Sequence, residues 1–228
     1  MGGSSGLGRA LAEKFSEAGC DLVLVSRDHR DTSRLATHLT IKHGVKVSSV
    51  VMDLSCTPVS FDAIDASLQD HSALKGILIP AGINYDDDVV GLNNEKLEYL
   101  TQVNYLAPCK LINHYLPLLE KNAGVIVGLG SIATARGRTR NAAYAAAKGA
   151  LALYFESLTH YAENHKISCQ YYILGYLDTN LAFAQTLLFP LASPTSVANV
   201  VYKRQLTSGR YFLPSPWYIL YRGVQILP

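Results

Sequence analysis

The chain has 228 residues, with 20 Lys and Arg against 18 Asp and Glu and a formal net charge of +2. So small an excess of positive charge excludes nucleic acid as the main partner. Hydrophobic residues at 49% against 17% charged exclude a disordered chain. The length fits one α/β domain spanning 1–228. Cys20, Cys56, Cys109 and Cys169 are scattered, with no Cys-x-x-Cys pair. They read as reduced structural thiols and suggest neither a metal site nor disulfides. With no signal peptide ahead of the first glycines, the expected location is cytoplasmic.

In chain order, helix and strand alternate. Leu7, Ala10, Leu11, Phe15 and Ala18 share one helical face over 7–18. "DLVLVS" (21–26) is an apolar run of strand length, 30–43 is helical, and "VKVSSVVMD" (45–53) is strand-like. A weak helix fits 58–71, and "LKGILIP" (74–80) is a strand closed by Pro80 and Gly82. A long helical region covers 93–120, with Pro117 as the expected kink. "GVIVGLGS" (124–131) is a strand, 141–164 an Ala-rich helix, and "ISCQYYILG" (167–175) a further strand. This alternation predicts a parallel sheet with helices on both faces.

The opening "MGGSSGLGRALAEKF" places glycines at 2, 3, 6 and 8 directly before a helix. Such a turn offers free backbone N–H groups and a positive helix end to a pyrophosphate. A strand should lead into it, and the sequence holds none. The preferred reading is a shortened form of a longer natural chain; the alternative is a truncated and impaired protein. At the end of "DLVLV", Ser26 stands where a carboxylate would hold a ribose 2′-hydroxyl, and Arg27 follows, which suits a 2′-phosphate. NADP(H) is therefore expected over NAD(H).

Tyr144 and Lys148 in "YAAAK" are four residues apart and share a helical face. A neighbouring ammonium favours a phenolate and is expected to lower the Tyr144 pKa. The pair would then trade a proton with a carbonyl or alcohol oxygen near neutrality. Ser131, at the carboxyl end of a strand and 13 residues before Tyr144, can hold the same oxygen. Asn104, in "QVNYLAP", falls inside the long helix. It is read either as support for a water relay to Lys148 or as a buried amide satisfying a helix irregularity.

Taken together, "GGSSGLG" (2–8), "SRD" (26–28), "MDLS" (52–55), "PAG" (80–82), "VNYLAP" (103–108), "GS" (130–131), "YAAAK" (144–148) and "LGYLDT" (174–179) make the chain resemble the short-chain dehydrogenase/reductase (SDR) family. The short length and the Gly2/Gly6/Gly8 spacing disfavour that family's extended branch of epimerases and dehydratases. The resemblance implies an α/β, doubly wound Rossmann-type parallel sheet in three αβα layers. It also implies an NADP(H)-dependent oxidoreductase interconverting a carbonyl and an alcohol, and a homodimer or homotetramer. In that pattern Gly2, Ser4, Ser5, Gly6, Leu7 and Gly8 line the pyrophosphate turn, Asp53 and Leu54 flank the adenine, and Ala81 and Gly82 pass beneath the cofactor. Tyr144 is the acid/base, Ser131 the carbonyl anchor, Lys148 the ribose ligand, Asn104 the relay support and Thr179 a carboxamide partner. Two motif positions depart from the pattern: Ile79–Pro80 replaces a double Asn, and Leu174 a Pro.

Arg136, Arg138 and Arg140 read as a solvated basic loop, with attraction of an anionic substrate as the lesser reading. Asp86, Asp87 and Asp88 read as an exposed polar run. "NLAFAQTLLFPLA" after Thr179 suggests a flap over an apolar or lipid-like substrate. The aromatic tail 211–228 is expected to pack on its own domain or a sister subunit, with peripheral membrane contact as the alternative.

Overall fold

The computed structural model describes residues 2–3, 5–68, 74–177, 192–204 and 207–226. The elements are α1 (Gly6–Glu17), β1 (Leu22–Ser26), α2 (His29–His43), β2 (Val47–Val51), α3 (Asp62–Ser67), β3 (Gly76–Ile79), α4 (Asn94–Thr101), α5 (Ala107–Lys121), β4 (Val125–Ser131), α6 (Ala142–Glu163), β5 (Ser168–Leu174), α7 (Pro194–Lys203), β6 (Gly209–Leu213) and α8 (Trp217–Ile226). The last three lie beyond the elements expected from the sequence. The flap expected at 181–192 lies almost wholly outside the described residues.

Every strand pairing among the described residues is parallel. β1 pairs with β2, and β3–β4–β5–β6 form a second ladder. No described strand joins β1 to β3. The side chains alternate between two cores, as a pleated strand requires. Ile126, Cys169, Tyr171 and Ile173 face Leu111, Ile112 and Leu119 of α5 and Leu151 and Phe155 of α6. Val127, Leu129, Tyr172 and Leu174 face Leu7, Leu11 and Phe15 of α1 and Val197 and Val201 of α7. α2 joins the α1 side, where Leu35 and Leu39 pack with Ala12 and Leu24. The result is the expected three-layer αβα arrangement. Phe155 is fully buried, a transfer that contributes roughly 1.5–3 kcal/mol.

The long helical region is interrupted, and Pro117 is not the cause. α5 runs through Pro117, and the irregularity is a π-helical turn at Gln102–Leu106 centred on Asn104. Such turns widen the helix and release backbone groups that a side chain must satisfy.

Candidate active site

The carboxyl ends of β1, β3, β4 and β5 open into one cleft of about 1030 Å³. Gly2, Ser5, Gly6, Leu7, Gly8, Ser26, Arg27, Asp53, Leu54, Ala81, Gly82, Ser131, Tyr144 and Lys148 all line it. Ser4 and Thr179 lie outside the described residues.

The glycine turn is built by close approach. Gly2 sits at φ +79°, where a side chain is strained, and its N–H donates to the Val25 carbonyl at 2.7 Å. A Cβ on Gly8 would stand 1.8 Å from the Gly2 carbonyl oxygen. The intrahelical ladder of α1 opens with Arg9 N–H donating to Ser5 at 3.2 Å. Ser5 makes no side-chain cap, and the first turn carries no acidic residue. The amides of Gly6–Gly8 therefore precede the ladder and end on the cleft with the positive helix pole. This cradle fits a pyrophosphate and leaves no room for a side chain.

At the end of β1, Ser26 is buried and its hydroxyl is engaged within its own turn. It shares a 2.6 Å hydrogen bond with the Thr32 hydroxyl and accepts from Asp28 N–H at 3.1 Å. Arg27 is exposed, and its Nη1 donates to the Tyr99 hydroxyl at 2.5 Å. Tyr99, on α4, also lines the cleft and went unnoticed in the sequence, where nothing links it to Arg27 across 72 positions. Asp53 accepts from Ser55 N–H at 2.9 Å, fixing the bend after β2.

Ser131 ends β4, and its Oγ accepts the Ala133 N–H at 3.1 Å. Burial pushes the Tyr144 phenol above its ordinary pKa, and the neighbouring Ser131 hydroxyl offsets this only in part. The expected lowering by Lys148 is not found. Lys148 is 4% exposed, and its Nζ donates to the Leu129 carbonyl at 3.1 Å and the Ala81 carbonyl at 3.4 Å. Burial pushes its own pKa from 10.5 down to about 8. Burial is the leading cause of both shifts, raising the phenol and lowering the ammonium.

Asn104 is fully buried and is not among the residues lining the cleft. Its Nδ2 donates to the Ile83 and Leu100 carbonyls at 2.9 and 3.0 Å, and its Oδ1 accepts Ile83 N–H at 3.1 Å. The amide thus ties the loop after β3 to the π turn. A Cβ on Gly82 would lie 3.2 Å from both Asn104 Oδ1 and Lys148 Nζ. Both side chains therefore border the space beneath Gly82.

Asp86 and Asp87 are exposed, as expected, but Asp88 is not: it is 1% exposed and binds the start of α6. Asn84 and Asn141, joined by a 3.0 Å hydrogen bond, also line the cleft. Of the three loop arginines, all exposed, only Arg138 lines it. α8 packs on its own domain. Trp217 and Tyr221 are buried, and a Cβ on Gly175 would lie 2.4 Å from the Trp217 Nε1. Among the described residues, no helix is long and apolar enough to cross a membrane, and no group of His, Cys, Asp and Glu is arranged to hold a metal.

The short chain dehydrogenase family model matches residues 1–186. Dehydrogenase/reductase SDR family member 7B of Bos taurus is 30% identical over 187 residues, covering 79% of this chain and 58% of the relative. The Danio rerio counterpart is 28% identical, and 60% of its length is covered. The chain thus spans about 60% of the length of these relatives. Among solved structures, a short-chain dehydrogenase from Sphingobium yanoikuyae in complex with NADPH superposes with a TM-score of 0.83 at 24% identity, over 98% of this chain and 91% of that one. A structure described under 7beta-hydroxysteroid dehydrogenase stereoselectivity reaches 0.87 at 17% identity, over 99% and 90%. These likenesses agree with the three-layer fold, and the match over 1–186 means that the chain belongs to the short-chain dehydrogenase family.

Proposed function

We propose that the chain is an NADP(H)-dependent carbonyl reductase in which Tyr144 donates the proton. The observation that carries this reading is the convergence of Ser131, Tyr144 and Lys148 on the same cleft as the glycine cradle. The cofactor supplies hydride when bound. The cradle at Gly2–Gly8 would hold its pyrophosphate and Arg27 its 2′-phosphate.

The chain's own groups then have distinct tasks. Ser131 Oγ orients the carbonyl oxygen toward the phenol. Tyr144, with its pKa raised by burial, arrives at neutral pH carrying its proton and is suited to give it to an oxygen gaining negative charge. Lys148, still mostly protonated at pH 7, anchors the cleft floor through Leu129 and Ala81 and has a donor to spare for a ribose hydroxyl. Ile83, Ile132, Leu174, Tyr176 and Leu177 are among the cleft walls, which fits a substrate with an apolar body.

The test is NADPH consumption over a panel of apolar ketones, with fluorescence titration of NADPH, for the parent and Tyr144→Phe. The expected result is turnover in the parent, loss of at least about 100-fold in the variant and little change in NADPH affinity. Equal turnover in both proteins removes Tyr144 from the chemistry. Tight NADPH binding with no turnover in the parent favours a non-catalytic nucleotide-binding relative.

A further inference from the structure

We infer that Asp88 is a positioning residue: its carboxylate clasps the first turn of α6 from the loop after β3 and so fixes the backbone that carries Tyr144. The inference rests on the proposed role of Tyr144 for its catalytic consequence, but not for the clasp itself.

The start of α6 needs an outside partner. Its first-turn amides have no intrahelical acceptor, a need that a local N-cap side chain ordinarily meets. Here the N-cap residue is Asn141, held at φ 58° and ψ 34° instead of in the extended region, and its side chain makes no capping bond. Asp88 fills that place from 55 residues away. Its Oδ1 accepts Ala143 N–H at 3.0 Å, and its Oδ2 accepts Tyr144 N–H at 2.9 Å. Its backbone carbonyl also accepts Asn141 N–H at 2.7 Å.

Neighbouring bonds strengthen the junction. Val90 N–H donates to the Thr139 carbonyl at 3.0 Å, and Val89 and Arg140 form an antiparallel bridge. An anion at this helix pole is favourable, and two oxygens meeting two amides set the first turn against translation and rotation. The same loop begins at Ala81 and Gly82, which line the cleft, and is tied at Ile83 to Asn104. Asp88 thus couples the loop under the proposed nicotinamide site to the helix bearing the proposed acid.

Amide hydrogen exchange tests the clasp without needing turnover. In Asp88→Ala the Ala143 and Tyr144 amides should exchange about tenfold faster, while those of Leu151 and Phe155 keep their rates. Asp88→Asn retains one acceptor and the side-chain volume. It should accelerate the two amides less, and it carries the test if the alanine variant does not fold. With NADPH saturating, kcat on a reducible ketone should fall about tenfold in Asp88→Ala, with NADPH affinity changed by less than about twofold. Unchanged exchange at both amides in a folded variant overturns the clasp. Faster exchange with unchanged kcat overturns the positioning role. A parent that turns over no ketone counts against the reductase reading and leaves the exchange result to decide the clasp.

Discussion

Lys148 should cost the protein stability, and its replacement by Met should make the fold sturdier while impairing catalysis. The fall of its pKa from 10.5 to about 8 on burial corresponds to roughly 3 kcal/mol held against the folded state at neutral pH. Met matches the side chain's length without its charge. It forfeits the hydrogen bonds to the Leu129 and Ala81 carbonyls, a loss of about 1 kcal/mol. The net gain at pH 7 is about 2 kcal/mol, or about 4–8 °C in Tm for a domain of this size. The pH dependence follows from the direction of the shift. Below pH 8 both folded and unfolded chains keep the proton, and the full penalty stands. From pH 8 to 10.5 the folded chain releases the proton while the unfolded chain holds it, so the parent gains stability relative to the variant. The two melting temperatures should converge by about pH 10. Scanning calorimetry of both proteins from pH 7 to 10 reads this directly. A Lys148→Met variant less stable than the parent at pH 7, or a gap that does not narrow, would refute the reasoning.

Three further substitutions test the cofactor end. Gly8→Ala puts a methyl 1.8 Å from the Gly2 carbonyl, so the turn must move; NADPH affinity should collapse and stability fall by about 1–3 kcal/mol, read by fluorescence titration and melting. Arg27→Ala should weaken NADPH binding by about 10–100-fold and leave NADH nearly unchanged. Tyr99→Phe, which removes only the hydroxyl holding Arg27, should give a smaller loss of the same preference. Equal losses for NADPH and NADH would show that Arg27 does not read the 2′-phosphate.

Much of the fold was legible because its signals are local. β1, β4 and β5 are apolar runs of strand length, α6 is Ala-rich over six turns, and the glycines at 2, 6 and 8 mark a turn that tolerates nothing larger. Ser131, Tyr144 and Lys148 were legible through spacing, since a strand end and one helical turn suffice to bring them together. What stayed hidden depends on tertiary packing. An acidic run looks solvated in any sequence, and nothing local marks Asn141 as a residue whose side chain leaves the start of α6 uncapped. Asn104 sits in a π turn whose extra backbone groups have no sequence mark. β6 is a five-residue strand, Gly209–Leu213, inside an aromatic segment that gives no clear period. The sign of the Tyr144 shift was hidden too, because spacing places Lys148 near Tyr144 but carries no mark of the burial that raises the phenol.

Under the proposed function, Tyr144 delivers a proton to a carbonyl oxygen as hydride reaches the carbonyl carbon. The most direct test offers the chain NADPH deuterated at its transferable position together with a reducible ketone, and follows the product by mass spectrometry for the parent and Tyr144→Phe. One deuterium on the carbinol carbon in the parent, and no product from a variant that still binds NADPH, is the predicted result. Labelled product formed at the same rate by the variant, or none from an NADPH-bound parent across the ketone panel, would contradict it.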